Sequence, residues 1–422
     1  MKVFAREHPV VIDRDISTAA FWAQTLVERD RTFAWLRRNA AVSWHLPIEA
    51  VLSAPDHGEA GFWAVTRASD INYVSQNHDL FSSWIGGFVA RPGNPRLAHS
   101  PTFMNMDPPE HNSRRAIISP AFTPKGVARI RSKIEERAEQ IVGAVLGVGE
   151  FDFVERVSSQ LPMLTIADLF GVPESQIASF TKAGNDIMDS TDPDALPEGV
   201  SAVEFRLKAM EVLRDISQDL VRYRRRHPAD DIATALAEAD VGGHPLSDDE
   251  IASMTVLLAT AGNDTTRHTT SWTALNLSRN PDQKEWLAQD YEGRIGQAVE
   301  EFIRHATVVN MFARTATQDT ELGGQAISEG DKVVMFYCSG NRDESLFPDP
   351  HRFDVGRPRT SHVAFGGRGV HFCLGNIVAK AQLKAIFGQV LTKIPNFQIL
   401  GDPVRARSEF VNGIRYLPAL SS

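Results

Sequence analysis

The segment Phe365-Gly366-Gly367-Arg368-Gly369-Val370-His371-Phe372-Cys373-Leu374-Gly375 sets one cysteine in a glycine-rich stretch that leads into an apolar helical pattern. Glycine lacks a Cβ, so the backbone here can pass close to a flat ligand and take positive φ where it curls around a sulfur. Backbone N–H groups and a helix start beside Cys373 are expected to stabilise a thiolate and lower its pKa. Such a thiolate can ligate iron and push electron density onto it, favouring O–O cleavage. Cys373 therefore reads as the axial ligand of a haem iron, with Phe365, Gly366, His371 and Gly375 around the macrocycle. The alternative is a small buried thiol in a strand-to-helix turn.

A second stretch, Ala261-Gly262-Asn263-Asp264-Thr265-Thr266, interrupts a predicted helix with small and polar residues where nothing structural demands them. Gly262 weakens a helix, and Thr265 can bond back to a carbonyl one turn earlier and bend it. A bent helix of small residues leaves room for a diatomic ligand. Asp264 beside Thr265 offers a carboxylate and a hydroxyl that can relay protons to a buried oxygen. The other reading is an ordinary helix with a polar patch at a packing contact.

The cysteine segment resembles the haem-binding loop of the cytochrome P450 monooxygenases, which reads F-G-x-G-x-H-x-C-x-G; here one extra residue separates Phe365 from Cys373. The resemblance implies haem b as cofactor and a mainly α fold with a smaller β-rich region, formed as one domain over residues 1–422. It gives Asp264 and Thr265 the delivery of protons to bound dioxygen, and sets Ala261 against the oxygen groove. Glu301 and Arg304, three apart on one helical face, can pair. They resemble the family's E-x-x-R helix, and Arg357 after Phe353-Asp354-Val355-Gly356 completes the pair in a structural role. Haem carries two propionates that need neutralising in a buried site. The matching candidates are His111 and Arg115, spaced i,i+4 past a proline, with Arg314 and His371. Taken singly, each is more often a surface charge; together, with haem, they read as propionate contacts.

By position in the family, the substrate lining comes from stretch 82–100, region 177–203, Met254, Leu258 and Ala261 of the long helix, Val308, Val309, Asn310, Met311, Val411 and Asn412. An apolar lining with few polar anchors implies a lipophilic substrate, although the same residues would serve equally as core. Asn310, Asn412 or a residue near Trp84 is the expected polar anchor. Local likeness is strongest to actinobacterial members acting on steroid side chains and branched lipids. These share the lengthened loop and segments similar to Asn105-Met106-Asp107 and Ala261-Gly262-Asn263. The expected reaction is hydroxylation of an unactivated carbon in a steroid, terpenoid or related molecule.

Composition narrows the partners. A net charge of −9 without a basic stripe argues against nucleic acid. The start Met1-Lys2-Val3-Phe4 begins no signal-type apolar run, and no stretch is long enough to span a bilayer, so a cytoplasmic protein without a membrane anchor is expected. Of two cysteines, Cys338 lies in a strand-like run and reads as packing. No Rossmann glycine fingerprint is present, so electrons are expected from a ferredoxin and an NAD(P)H-dependent ferredoxin reductase. Arg368, with Arg114, Arg115 and Lys125, is a candidate basic rim for the ferredoxin. Two rivals remain: a peroxide-driven enzyme of the same fold, against which Asp264-Thr265 argues, and a non-catalytic haem protein that senses or stores a gas. The second is compatible with Cys373 but has no need of the acid–alcohol pair.

Several elements must position these residues. Ser247 and Glu250 form a capping box, Leu246 and Ile251 a hydrophobic staple, and small or apolar residues recur at 251, 254, 258, 261 and 265. A helix of roughly 50 Å follows, ending at Pro281. Successive amphipathic helices, broken at Gly171-Val172-Pro173 and Asp192-Pro193-Asp194, are expected before it. A hairpin is expected from Val42–Leu46 and Phe62–Thr66, and strands between Val308 and Tyr337.

Overall fold

The element that organises the fold is the helix Asp248–Arg279, 32 residues and about 48 Å long. Its capping box closes both ways: Ser247 Oγ accepts from the Glu250 N–H at 3.2 Å, and Glu250 Oε2 accepts from the Ser247 N–H at 3.0 Å. Leu246 and Ile251 meet in one core cluster, as the staple requires. Pro281, which cannot continue the helix, opens the next one, Pro281–Gln289.

In the computed structural model of the protein, which describes residues 9–49, 60–84, 102–359 and 361–421, several helices pack directly on the long one. Among them are Gln160–Phe170, Glu174–Asp189, Ala202–Arg224, Tyr291–Ala306 and Asn376–Lys393, and Pro124–Gly143 packs on the last of these. Phe180, Leu213 and Met254 mark the core around the first half of the long helix; Trp272, Phe302 and Phe387 mark the core around its second half. Each such side chain removed from water contributes about 2 kcal/mol. The fold is mainly α with a smaller β portion, as expected. Among the described residues, no helix is long and apolar enough to cross a membrane.

The larger sheet runs Val42–His45, Phe62–Val65, Lys332–Phe336, Met311–Ala316, Phe81–Ser82. The first two strands form the expected antiparallel pair, each ending one residue early, and Phe62–Val65 pairs in parallel with Lys332–Phe336. Alternation sorts the side chains. Trp63, Val65, Val333 and Met335 face a cluster with Ile71 and Phe81, whereas Phe62, Ala64, Val334, Phe336 and Met311 face one with Phe21 and Phe33. The strand expected to carry Cys338 ends at Phe336. Cys338 lies instead in a short helical turn, Tyr337–Gly340, where burial pushes its thiol up to about 12.

The helix Tyr291–Ala306 brings Glu301 and Arg304 onto one buried face. Arg304 Nε and Nη2 each donate to the Glu301 carboxylate at 2.7 Å, and Arg357 Nε donates to it at 3.2 Å. The arginines spend their other N–H groups on carbonyls of Asn341, Pro350, Pro348 and Asp349. The three side chains thus hold the stretch between the sheet and the cysteine loop in one path.

Candidate active site

The cysteine loop is shaped by its glycines. Gly366 and Gly367 have φ of 90° and 78°, in the left-handed region that side chains disfavour. At Gly369 the need is steric, because a Cβ would lie 1.7 Å from the Ser75 carbonyl oxygen. Cys373 is fixed at both ends of its peptide unit: its N–H donates to Phe365 O at 3.0 Å, and Asn376 Nδ2 donates to its carbonyl at 2.8 Å. The residue as a whole is half-buried. Burial pushes its pKa up, against the pull of the Gly375 N–H, Arg115 and Lys380. The lowered pKa expected from sequence is therefore not a property of the polypeptide alone, because those three favourable interactions do not offset desolvation. A coordinated metal removes such a proton outright.

Around this loop four basic side chains converge. The His111 and His371 rings lie 4.5 Å apart, and Arg115 Nη2 donates to the Phe372 carbonyl at 2.7 Å. His371 Nε2 meets Ser83 Oγ at 3.0 Å. Burial first, then the charges of Arg314, His111 and Arg115, push the His371 imidazole down to about 2. Burial likewise lowers Arg314, with Tyr337 and Asp107 opposing it. His111 Nε2 is buried with no hydrogen-bond partner, and Arg314 Nη1 donates to the adjacent Ala313 carbonyl at 2.7 Å. This donor-rich set is short of acceptors. Of the expected basic rim, Arg114 pairs with Glu250 at 2.9 Å and Arg368 donates to Ser361 Oγ at 2.5 Å, while Arg115 and Lys125 line one surface cavity with Arg129.

The long helix approaches the same place. Leu374 and Ile377, just past Cys373, pack into the cluster that holds Met254 and Leu258. The small-residue stripe is buried at Ile251, Met254 and Leu258 and opens at Ala261, which is exposed. Thr265 Oγ1 donates to the Ala261 carbonyl at 3.0 Å, the back-bond expected from sequence. Its oxygen lone pairs remain available to accept. Asp264 is buried, with Oδ2 3.2 Å from His268 Nε2 and Oδ1 3.8 Å from Arg267 Nη1. Burial works to raise this carboxyl's pKa, yet His268 and Arg267 outweigh it and hold it below the usual carboxylate range. His268 was missed from sequence, although its i,i+4 spacing from Asp264 was visible. One expectation is overturned outright: Gly262 does have a structural reason. A Cβ there would lie 2.5 Å from Ile166 Cδ1 on the crossing helix.

The lining residues divide. Of the nine expected, Ala261 is exposed and Val309 half-buried; the other seven are buried. Val308 and Val411 pack in the cluster around Trp272, and Met311 lies on the sheet face turned to Phe21 and Phe33, opposite Phe312. Asn310 Nδ2 donates to Glu409 O at 3.0 Å and Asn412 Nδ2 to Ala306 O at 2.8 Å, so each amide spends one N–H on a backbone carbonyl and is fixed in direction by it. Trp84 is exposed, and residues 85–100 of the expected loop lie outside the described residues.

Likeness to known proteins decides the family. The chain is 37% identical over 415 residues, 97% of its length and 94% of the relative's, to the methyl-branched lipid omega-hydroxylase of Mycobacterium tuberculosis strain ATCC 25618 / H37Rv. The chain belongs to the cytochrome P450 family. Residues 201–401 match the family's own profile, Cytochrome P450. Identity is 35% over 411 residues to the steroid C26-monooxygenase of Mycobacterium bovis strain ATCC BAA-935 / AF2122/97, covering 95% of this chain and 91% of that one. Among solved structures, Mycobacterium marinum cytochrome P450 CYP268A2 in complex with pseudoionone superposes with a TM-score of 0.94 at 42% identity, over 98% of this chain and 100% of that chain. This P450 is a monooxygenase, an oxidoreductase whose cofactor is haem.

The residues present in this P450 fit that group. Haem brings two carboxylates, and the chain offers four buried or half-buried basic side chains that, among the described residues, have no acidic partner apart from Asp107. It needs one strong ligand from the protein, and among the described residues no cluster of three or more acidic, histidine or cysteine side chains competes with Cys373 for a metal. A Cβ at Gly375 would meet no protein atom within 4 Å, so protein packing does not demand glycine there.

Proposed function

We propose that this P450 hydroxylates an unactivated carbon of a large lipophilic molecule, a steroid, branched lipid or terpenoid. Its electrons come from a ferredoxin and an NAD(P)H-dependent ferredoxin reductase. The protein acts as one cytoplasmic domain over residues 1–422. The printed activities of the mycobacterial relatives, on methyl-branched lipids and on steroids, support the substrate class. Haem b, with Cys373 as its protein ligand, supplies the oxygen chemistry: two electrons and two protons cleave dioxygen, one atom entering the C–H bond and the other leaving as water.

The side chains do the rest. Phe365 and Asn376 hold the peptide of Cys373, so the sulfur keeps one position. His111, Arg115, Arg314 and His371 orient the cofactor by its propionates. Thr265, with its proton committed to the Ala261 carbonyl, accepts a hydrogen bond near the oxygen, and Asp264 takes protons from solvent and passes them inward. This acid–alcohol pair favours dioxygen over peroxide as oxidant. Carrying the reading is the meeting of Cys373 with four basic side chains, of which His111 keeps a buried ring nitrogen without a hydrogen-bond partner.

The test is a spectral-shift screen of the haem-loaded protein against steroids, methyl-branched fatty acids, terpenoids and small aromatic acids. Turnover with a ferredoxin system follows. Tight binding by at least one large apolar ligand and its hydroxylation are expected. Small aromatic acids should bind poorly, because an unpaired buried carboxylate is costly. Shifts caused only by small anionic ligands would overturn the substrate class. Cys373→Ala should lose both turnover and the red-shifted absorption of the reduced carbon monoxide complex; retention of both would overturn the ligand assignment.

A further inference from the structure

Asp264 does not rest on a bidentate arginine. Arg267 stands 3.8 Å from its Oδ1 and 4.0 Å from Asp189 Oδ1, beyond hydrogen-bond reach of either, and Arg267 Nε is buried without a hydrogen-bond partner. The close partner is His268 Nε2, at 3.2 Å from Oδ2. His268 is itself fixed from outside the helix. The Ile414 N–H donates to His268 Nδ1 at 3.2 Å, which makes Nδ1 an acceptor. A ring nitrogen that accepts from a backbone N–H carries no proton, so the ring's one proton sits on Nε2, the nitrogen 3.2 Å from Asp264 Oδ2.

A second observation shows that the chain is built to admit this ring. Gly413, in the segment that leads into the strand Ile414–Tyr416, would place a Cβ 2.8 Å from His268 Nε2 and 3.0 Å from Cε1. Any side chain there would displace the imidazole from Asp264. The ring is buried, so water does not replace it as a donor without rearrangement.

We propose that His268 is the positioning residue for Asp264: the neutral Nε2–H, aimed by the Ile414 N–H and accommodated by Gly413, parks the carboxylate through a single releasable hydrogen bond. The proposal rests on the reading of Asp264 as proton carrier. A carboxylate that relays protons must leave its partner and return to it in every cycle. One bond from a neutral donor is weaker than a charge-assisted bidentate clamp, so departure is easier. A full lack of partner would leave the carboxylate without a defined resting direction. The proton passes from solvent to Asp264 and on toward Thr265, while His268 keeps its own.

Two measurements test this. In protein labelled with 15N-histidine, held as the reduced carbon monoxide complex, the long-range ¹H–¹⁵N correlation assigned to His268 by its loss in His268→Gln should show the Nε2–H tautomer. An Nδ1–H tautomer or a doubly protonated ring would overturn the proposal without reference to activity. In turnover, His268→Leu should lower kcat about tenfold, the equivalent of one lost hydrogen bond. It should also raise the solvent deuterium isotope effect on kcat, with the spectral Kd for substrate unchanged. His268→Gln, which keeps an N–H donor, should restore most of kcat. Equal loss in both variants, or none in His268→Leu, would overturn the proposal. Asp264→Asn separates the two readings: if it leaves rate and isotope effect at parental values, the proton-carrier reading fails, and the proposal with it. If Asp264→Asn is slow and His268→Leu is not, only the role of His268 fails.

Discussion

Gly262 faces Ile166 so closely that a Cβ at position 262 would lie 2.5 Å from Ile166 Cδ1 and 2.7 Å from its Cγ1. The gap in the long helix is therefore matched to a neighbour on Gln160–Phe170, which packs across it. Gly262→Ala should destabilise the protein by about 1–3 kcal/mol through overpacking, despite the better helix propensity of alanine. Adding Ile166→Val removes the nearest methyl and should recover most of that loss. Urea denaturation of the four proteins of the cycle measures the coupling. Additive losses would show that the two side chains do not compete for this space.

Glu301 is shared by Arg304 and Arg357 in the core. Glu301→Leu leaves two guanidinium groups without their carboxylate and should cost about 3–5 kcal/mol. Denaturant unfolding checks it. A loss below about 1 kcal/mol would mean that the carbonyls of Asn341, Pro350 and Pro348 suffice to hold both arginines.

Thr265→Ala should preserve haem and substrate binding while diverting electrons into peroxide, since the hydroxyl acceptor tied to Ala261 is gone. Asp264→Asn should slow turnover by about 10²-fold or more. The readouts are peroxide released per NAD(P)H consumed and kcat. Unchanged coupling in the first, together with an unchanged rate in the second, would remove both residues from the proton path.

His45 provides a pH prediction away from the site. Burial lowers its imidazole from the ordinary 6.5 to about 4, with weaker opposing contributions from the Arg14 backbone and Asp15. The unfolded chain therefore takes up the proton first as pH falls. The contribution is complete above pH 6.5 and is lost as pH falls from there toward 4. Stability should drop by about 1 kcal/mol per pH unit in that window on account of this ring. His45→Gln should flatten the slope while leaving stability at pH 8 less affected. A parental slope in the variant would assign the acid sensitivity to other groups.

What was legible in the sequence is chemistry carried by near neighbours along the chain. The cysteine loop, the Thr265 back-bond to Ala261, the Ser247–Glu250 capping box and the Glu301–Arg304 pair all span a few residues, where helix and turn geometry set the distance in advance. The mainly α fold followed from the same periodicities together with the family resemblance.

Only the tertiary structure decided matters that depend on partners far along the chain. Gly262 needed Ile166 to explain it, Gly369 needed Ser75, and His268 acquired its direction from Ile414. Met311 and Phe312 are both apolar, and the pleat sends them to opposite faces. The Cys373 thiol was expected low and stands high, because its pKa is a sum over everything packed around it. Desolvation is a property of the folded neighbourhood, whereas a motif records only the ligand and its spacing.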